Sequence, residues 1–168
     1  AVDYLINVCS IENCEIIVLP NDDDLGYDSW QTSLSKYAND ENLKIVDINE
    51  LYGLSNLIFI SIEYNKIINP NKFVSKQLYN LHFSYLPSYK GMYTSTHPIL
   101  NGERKSGVTL HLIDSGIDTG DIIDRVGFAL SINDTAKDLY FKYLDYGFKL
   151  FKKNIVSIIN KSYNSFPQ

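Results

Sequence analysis

Short apolar runs recur along this chain between stretches of helical length, and that rhythm narrows the fold more than any other feature. Glu15 to Leu19 (EIIVL), Lys44 to Ile48, Leu57 to Ile62 (LIFISI) and Leu78 to Phe83 are each brief enough to be strands buried on both faces. Val108 to Ile113 (VTLHLI) alternates with period two, so Val108, Leu110 and Leu112 share one face and Thr109, His111 and Ile113 the other. Ile122 to Leu130 follows as its antiparallel neighbour. Helical spacing marks the segments between. Val2 to Val8 reads as the tail of a helix, and Ser29 to Ala38 places Trp30, Leu34 and Tyr37 on one helical face. A long helix opens at Thr135, where Thr135-x-x-Asp138 forms a capping box. Tyr140, Tyr143, Leu144, Gly147, Leu150, Phe151, Ile155 and Ile158 follow it at three- and four-residue steps. Strands alternating with helices predict one α/β unit over residues 1–168: a Rossmann-like, mostly parallel sheet flanked by helices, whose first strand lies upstream of residue 1.

Composition removes whole classes of function. Fifteen Lys+Arg against twenty Asp+Glu leave a net charge of −5, and the only arginines are Arg104 and Arg125, which argues against a nucleic-acid partner. No apolar run approaches the roughly 18 residues that a membrane span needs, so no membrane partner is expected. Cys9 and Cys14 are too few for a disulfide framework and wrongly spaced for a Cys-x-x-Cys site; they read as reduced thiols in the cytoplasm.

In parallel sheets ligands sit beyond the carboxyl ends of strands, which directs attention to the end of the strand at Asn80-Leu81-His82. Two residues apart, Asn80 and His82 project from the same face. An amide and an imidazole converging there suit an oxyanion donor and a proton acceptor, although the pair alone equally describes a core histidine beside a turn-forming Asn. The Pro87-Ser88-Tyr89-Lys90-Gly91 loop then demands an unusual backbone path and offers Lys90 to an anionic group. Gly116-Ile117-Asp118-Thr119-Gly120 sets a carboxylate between two glycines, where it can orient a histidine. Asp118-Thr119-Gly120 also matches the aspartic-protease tripeptide, but such an enzyme needs two carboxylate loops and one copy is present. Asn21 to Gly26 fails as a calcium loop because Leu25 and Thr32 occupy ligand positions. His97 and His111 read as structural, with His111 at the border of the site.

Taken in order, Asn80-Leu81-His82-Phe83-Ser84-Tyr85-Leu86-Pro87, Lys90-Gly91, Asn101-Gly102, Gly107-Val108-Thr109 and Asp114 to Asp121 resemble the folate-dependent formyltransferase family. Phe83 stands where many members have Pro. The loop Tyr89 to Ser95, with Asp23-Asp24-Leu25-Gly26 and Trp30-Gln31-x-Ser33, looks most like the nucleotide-sugar N-formyltransferases of that family. The resemblance implies a catalytic domain over residues 1–168 that moves a formyl group from N10-formyltetrahydrofolate, as co-substrate and without metal, to the amine of a dTDP-linked 3-amino or 4-amino dideoxy-hexose. It implies His82 as general base, Asn80 as oxyanion donor and Asp118 as the partner that orients His82. The pterin is expected between Ile60-Ser61-Ile62-Glu63 and the loop of Ile113, Asp114, Gly116 and Ile117, largely through backbone contacts. Lys90, Gly91, Met92 and Tyr93 are expected at the sugar nucleotide. Formyltransferases of this kind often form homodimers through parts beyond the catalytic domain. Two alternatives stay open: a glycinamide ribonucleotide formyltransferase and a non-catalytic folate-binding homologue.

Overall fold

The computed structural model describes all 168 residues and is an α/β fold with helices packed on its sheets. In chain order the elements are α1 (Val2–Glu12), β1 (Ile17–Val18), α2 (Leu34–Asp40), β2 (Lys44–Ile45), α3 (Ile48–Leu51), β3 (Ile58–Ile62), β4 (Gln77–His82), α4 (His97–Leu100), β5 (Lys105–Leu112), β6 (Ile122–Ala129) and α5 (Ala136–Ile159). β1 and β2 pair in parallel, and a four-stranded sheet runs β3-β4-β5-β6. β3 and β4 are parallel, whereas β5 is antiparallel to both β4 and β6; three strands of this sheet therefore point one way and β5 is reversed.

Three expected elements are markedly shorter than their apolar patterns; the strand expected over Glu15–Leu19 is reduced to Ile17–Val18. The helix expected from Ser29 starts at Leu34, because Ser33 caps it by accepting from the Lys36 amide at 2.9 Å. Trp30 therefore lies outside the helix and shares no helical face with Leu34 and Tyr37; its side chain is 66% exposed. The strand expected over Lys44–Ile48 stops at Ile45, since Asp47 and Glu50 form a capping box that makes Ile48 the first residue of α3. The Thr135/Asp138 capping box of α5 is present, with the Thr135 amide donating to Asp138 at 2.9 Å.

The core lies on both faces of the four-stranded sheet. Tyr79, Leu81, Val108, Leu110 and Phe128 pack against Leu139, Tyr143, Leu150, Phe151 and Ile155 of α5. Each such side chain contributes about 1.5–3 kcal/mol on full burial. Gly147 allows the close approach: a Cβ there would stand 3.3 Å from the Phe83 ring and 3.4 Å from Leu81. On the other face Leu78 joins Phe59, Val46, Leu51, Ile68 and Phe73. β4 thus alternates Tyr79, Leu81 and Phe83 toward α5 with Leu78, Asn80 and His82 on the opposite face. A cleft of about 850 Å³ separates β1 from β3, walled by Val18, Val46, Phe59, Ile60 and Phe151, and the strands on its two sides each keep one unpaired edge.

Candidate active site at the ends of β3 and β4

The catalytic residues expected from sequence converge. Asn80 Nδ2 donates to Asp118 Oδ1 at 3.0 Å, and His82 Nδ1 lies 3.5 Å from Asp118 Oδ2. Asp118 reaches them from the β5–β6 loop with a left-handed backbone (φ 50°), and its Oδ2 accepts from the Gly91 amide at 2.8 Å. The loop is closed from outside by Gln168, whose Nε2 donates to the carbonyls of Asp118 (2.9 Å) and Gly120 (2.8 Å). Asp114 accepts from the Gly116 amide at 3.0 Å and the Thr119 hydroxyl at 2.6 Å, which fixes the turn ahead of Asp118.

The partners of the rings assign their tautomers. A carbonyl oxygen only accepts, so the 2.9 Å contact of His82 Nε2 with Tyr89 O places a proton on Nε2 and leaves the Nδ1 lone pair free. That carbonyl is held in place by a braced loop. Arg125 donates to Leu86 O at 2.6 Å with its guanidinium 4.4 Å from the centre of the Tyr85 ring. Thr109 bridges Ser84 O (2.7 Å) and the Leu86 amide (3.0 Å). Gly107 makes room for Tyr85, since a Cβ there would meet the ring at 2.6 Å. Left-handed backbone recurs around the site, at Glu63, Tyr89, Tyr93 and Asp118 among the seven non-glycine residues with positive φ. Each such conformation costs about 1–2 kcal/mol and persists because its surroundings enforce it.

His111, read from sequence as structural, belongs to this cluster. It is 2% exposed, and its Nδ1 donates to Leu112 O at 2.7 Å. Its Nε2 stands 3.3 Å from Asn80 Nδ2 and 3.4 Å from Asp118 Oδ1. Without a proton, Nε2 accepts the second Asn80 N–H; with one, it donates to Asp118 and that N–H is released. The signal was strand pairing: Asn80 and His111 are directly opposite in the β4–β5 ladder.

The remaining expected positions are spread around this cluster. Ser61 sits beside Asn80 in the parallel ladder on the same face, while Ile60 packs toward α5. Ile62 and Ile117 are exposed, and Ile113 borders the core behind the site, its amide donating to Leu78 O at 2.8 Å. Lys90, Met92 and Tyr93 lie exposed on the loop that delivers the Gly91 amide, and make no hydrogen bond to the trio.

Charge follows burial. Desolvation lowers the His82 pKa below its ordinary 6.5, against the opposing pull of Asp118, so the ring is neutral at neutral pH. Burial pushes Asp118 upward, but hydrogen bonding from His111, the charge of His82 and the Gly91 amide outweigh it and bring its pKa to about 2. The folded state therefore holds His82 less protonated than the unfolded chain, and its contribution to stability falls as pH drops through 6.5. The Asp118 contribution, about 2 kcal/mol, is complete above the ordinary carboxylate value of 3.8 and lost as pH falls toward 2. An NMR titration of the His82 ring is expected to give a midpoint below 6.5; a midpoint above it would contradict the desolvated environment described.

Comparison with known proteins places this geometry. A family model described as formyl transferase matches residues 38–155. An N-formyltransferase from Helicobacter canadensis, solved with folinic acid and dTDP-3-aminofucose, is 51% identical and superposes with a TM-score of 0.92 over 97% of this chain and 62% of that one. WlaRD, a sugar 3N-formyl transferase solved with dTDP and 5-N-formyl-THF, is 53% identical with a TM-score of 0.92, covering 97% of this chain and 61% of that one. Methionyl-tRNA formyltransferase of Thermosipho melanesiensis is 33% identical over 125 residues, 74% of this chain and 38% of its own length. The chain thus spans less than two thirds of each of these relatives. With the match covering the sheet, the Asn80/His82 strand end and the Asp118 loop, this chain belongs to the formyl transferase family.

Proposed function

We propose that this chain is the catalytic domain of a sugar N-formyltransferase. It would transfer a formyl group from N10-formyltetrahydrofolate to the amine of a dTDP-linked 3-amino or 4-amino dideoxy-hexose. The observation that carries the reading is the convergence of Asn80, His82 and Asp118 at the ends of strands, in a chain half identical to sugar N-formyltransferases. No metal is required, because the formyl group of the co-substrate is already activated. The acidic total favours a nucleotide-linked sugar over tRNA. The unpaired thiols Cys9 and Cys14 suit a cytoplasmic enzyme. The first strand expected upstream of residue 1 would fit the apolar cleft between β1 and β3, where each strand keeps a free edge.

In this reading His82 is the general base. As the neutral amine nitrogen bonds to the formyl carbon, His82 Nδ1 takes the amine proton, and Asp118, anionic and 3.5 Å away, pairs with the imidazolium so formed. Asn80 turns one N–H to the formyl oxygen as negative charge develops there, giving up its weaker 3.3 Å contact with His111. The C–N bond to the folate nitrogen then breaks, and the proton held by His82 and Asp118 goes to that leaving nitrogen. Ser61, Ile113 and the Asp114–Ile117 turn would line the pterin, and Lys90 to Tyr93 the sugar nucleotide.

The test is ligand stabilisation of the full-length protein joined to an acceptor panel. Folinic acid at a hundredfold excess over its Kd is expected to stabilise the fold by about 2.7 kcal/mol. Mass spectrometry is expected to show formylation of a dTDP-amino sugar far ahead of methionyl-tRNA. No thermal shift at millimolar folinic acid would sink the donor assignment. Methionyl-tRNA turnover rivalling the best amino sugar would sink the acceptor assignment, and a thermal shift with no turnover of any amine would leave a binding protein.

A further inference from the structure

Beyond α5 the chain reverses at Lys161, whose backbone is left-handed (φ 53°), and its last residues return along the start of β6. Three contacts fix this tail. Tyr163 accepts from the hydroxyl of fully buried Tyr79 at 3.1 Å, with the two rings edge to face and their centres 5.7 Å apart. Phe166 and Ile122 exchange two backbone hydrogen bonds, at 2.8 and 2.9 Å, and the Arg125 guanidinium stands 5.7 Å from the centre of the Phe166 ring. Gln168 then reaches over the Asp118 loop, its Nε2 donating to Asp118 O at 2.9 Å and to Gly120 O at 2.8 Å. An amide nitrogen carries two hydrogens, so this one side chain serves both carbonyls. No other protein group donates to either oxygen.

Those two carbonyls belong to the turn that decides where the Asp118 carboxylate points. The left-handed backbone of Asp118 (φ 50°) is costly for a residue with a side chain and relaxes unless its surroundings hold it. The neck of the loop is fixed by the Leu112 amide, which donates to Asp121 O at 2.9 Å, and by Gly120, where a Cβ would stand 1.9 Å from Leu112 O. Inside the site, the Gly91 amide, Asn80 and the two histidines draw on the carboxylate. Outside it, Gln168 grips the backbone of the same residue. The tail makes no hydrogen bond to Asn80, to His82 or to the Asp118 side chain, so any influence it has on them passes through the loop backbone.

We propose that Gln168 is a positioning residue for formyl transfer: from the tail behind α5 it holds the backbone of the Asp118 loop and so sets the distance between the Asp118 carboxylate and His82. This rests on the sugar N-formyltransferase reading, in which Asp118 stabilises the imidazolium, and adds the group that keeps Asp118 in place. The tail is anchored on Tyr79, the neighbour of Asn80 in β4, and on Ile122, the first residue of β6. It therefore ties the strand that carries Asn80 and His82 to the loop that carries Asp118. A carboxylate in place of the Gln168 amide has no hydrogen to donate and would set its charge against two carbonyl oxygens, pushing the loop away.

Steady-state kinetics and a histidine NMR titration on the full-length protein test this. Gln168→Glu is expected to lower kcat about tenfold while KM for donor and acceptor stays within about twofold of wild type. Gln168→Met, which removes the donors without adding charge, is expected to lower kcat about threefold. In an Asp118→Asn background Gln168→Glu is expected to cost nothing further, because its effect passes through the carboxylate. The His82 ring is faced by Asp118, His111 and the Tyr89 carbonyl; burial lowers its pKa and Asp118 raises it, so in unliganded Gln168→Met its midpoint is expected to fall further below 6.5. Wild-type kcat in a folded Gln168→Glu overturns the proposal, and so does an additive loss in the Asp118→Asn background. If Gln168→Glu does not fold, wild-type kcat and an unchanged His82 midpoint in Gln168→Met overturn it instead. Wild-type protein that formylates no amino sugar would remove the functional reading, and the His82 titration, which needs no substrate, would still decide whether Gln168 holds Asp118.

Discussion

Replacing His82 with asparagine is expected to lower kcat by about 10²–10⁴ while leaving acceptor and folinic acid binding close to wild type. The imidazole keeps an unprotonated Nδ1, its other nitrogen being committed to Tyr89 O at 2.9 Å. Asp118→Asn, nearly isosteric, is expected to cost a similar factor by withdrawing the charge that stabilises the imidazolium. In the proposed mechanism the two serve one proton transfer, so the double variant is expected to be barely slower than either single one. Rates and melting curves of the three proteins decide the matter. A purely packing role predicts additive losses that track lowered melting temperature, and a well-folded His82→Asn enzyme with near-normal kcat would end the mechanism.

Asn80→Ala is expected to reduce kcat by roughly 10²–10³, the loss seen when an oxyanion donor is removed. With His111 neutral its two N–H groups are both engaged, at 3.0 Å with Asp118 and 3.3 Å with His111, so one contact would be exchanged in the proposed reaction. His111→Leu removes the competing acceptor and is expected to cost less than tenfold. In the Asn80→Ala background it is expected to cost nothing further, since its effect passes through the Asn80 amide. An additive penalty in that double variant would show that His111 acts through Asp118 alone.

The legible parts of this molecule were those with a period. Alternation along β4 and β5 grouped Asn80 with His82 and Thr109 with His111, and the ladder brings both pairs to one face of the sheet. Of the α5 repeat, Tyr143, Gly147, Leu150, Phe151, Ile155 and Ile158 are buried and Tyr140 is half-buried. Leu144 fits the same repeat yet is 39% exposed, because it faces the cleft between β1 and β3. Capping outweighed periodicity at Ser33 and Asp47, which shortened a helix and a strand. Pairings across long separations left no local trace. His111 meets Asn80 through an antiparallel register, and Glu63 meets Tyr140 from 77 positions away. Asp118 was found through its glycines, which record the tight turn, but the hydrogen bond from the Gly91 amide depends on a second loop whose path no spacing encodes.

β4 is an interior strand, paired along both edges and packed on α5 through Tyr79, Leu81 and Phe83. Asn80 and His82 therefore ride on a segment that opens to solvent only when most of the domain does. Asp118 and Tyr89 stand on loops, held by a few hydrogen bonds that break at far lower free energy. The site is thus half anvil and half latch. Ligand entry would be timed by the loop half, while Asn80 and His82, the proposed oxyanion donor and base, keep their backbone positions.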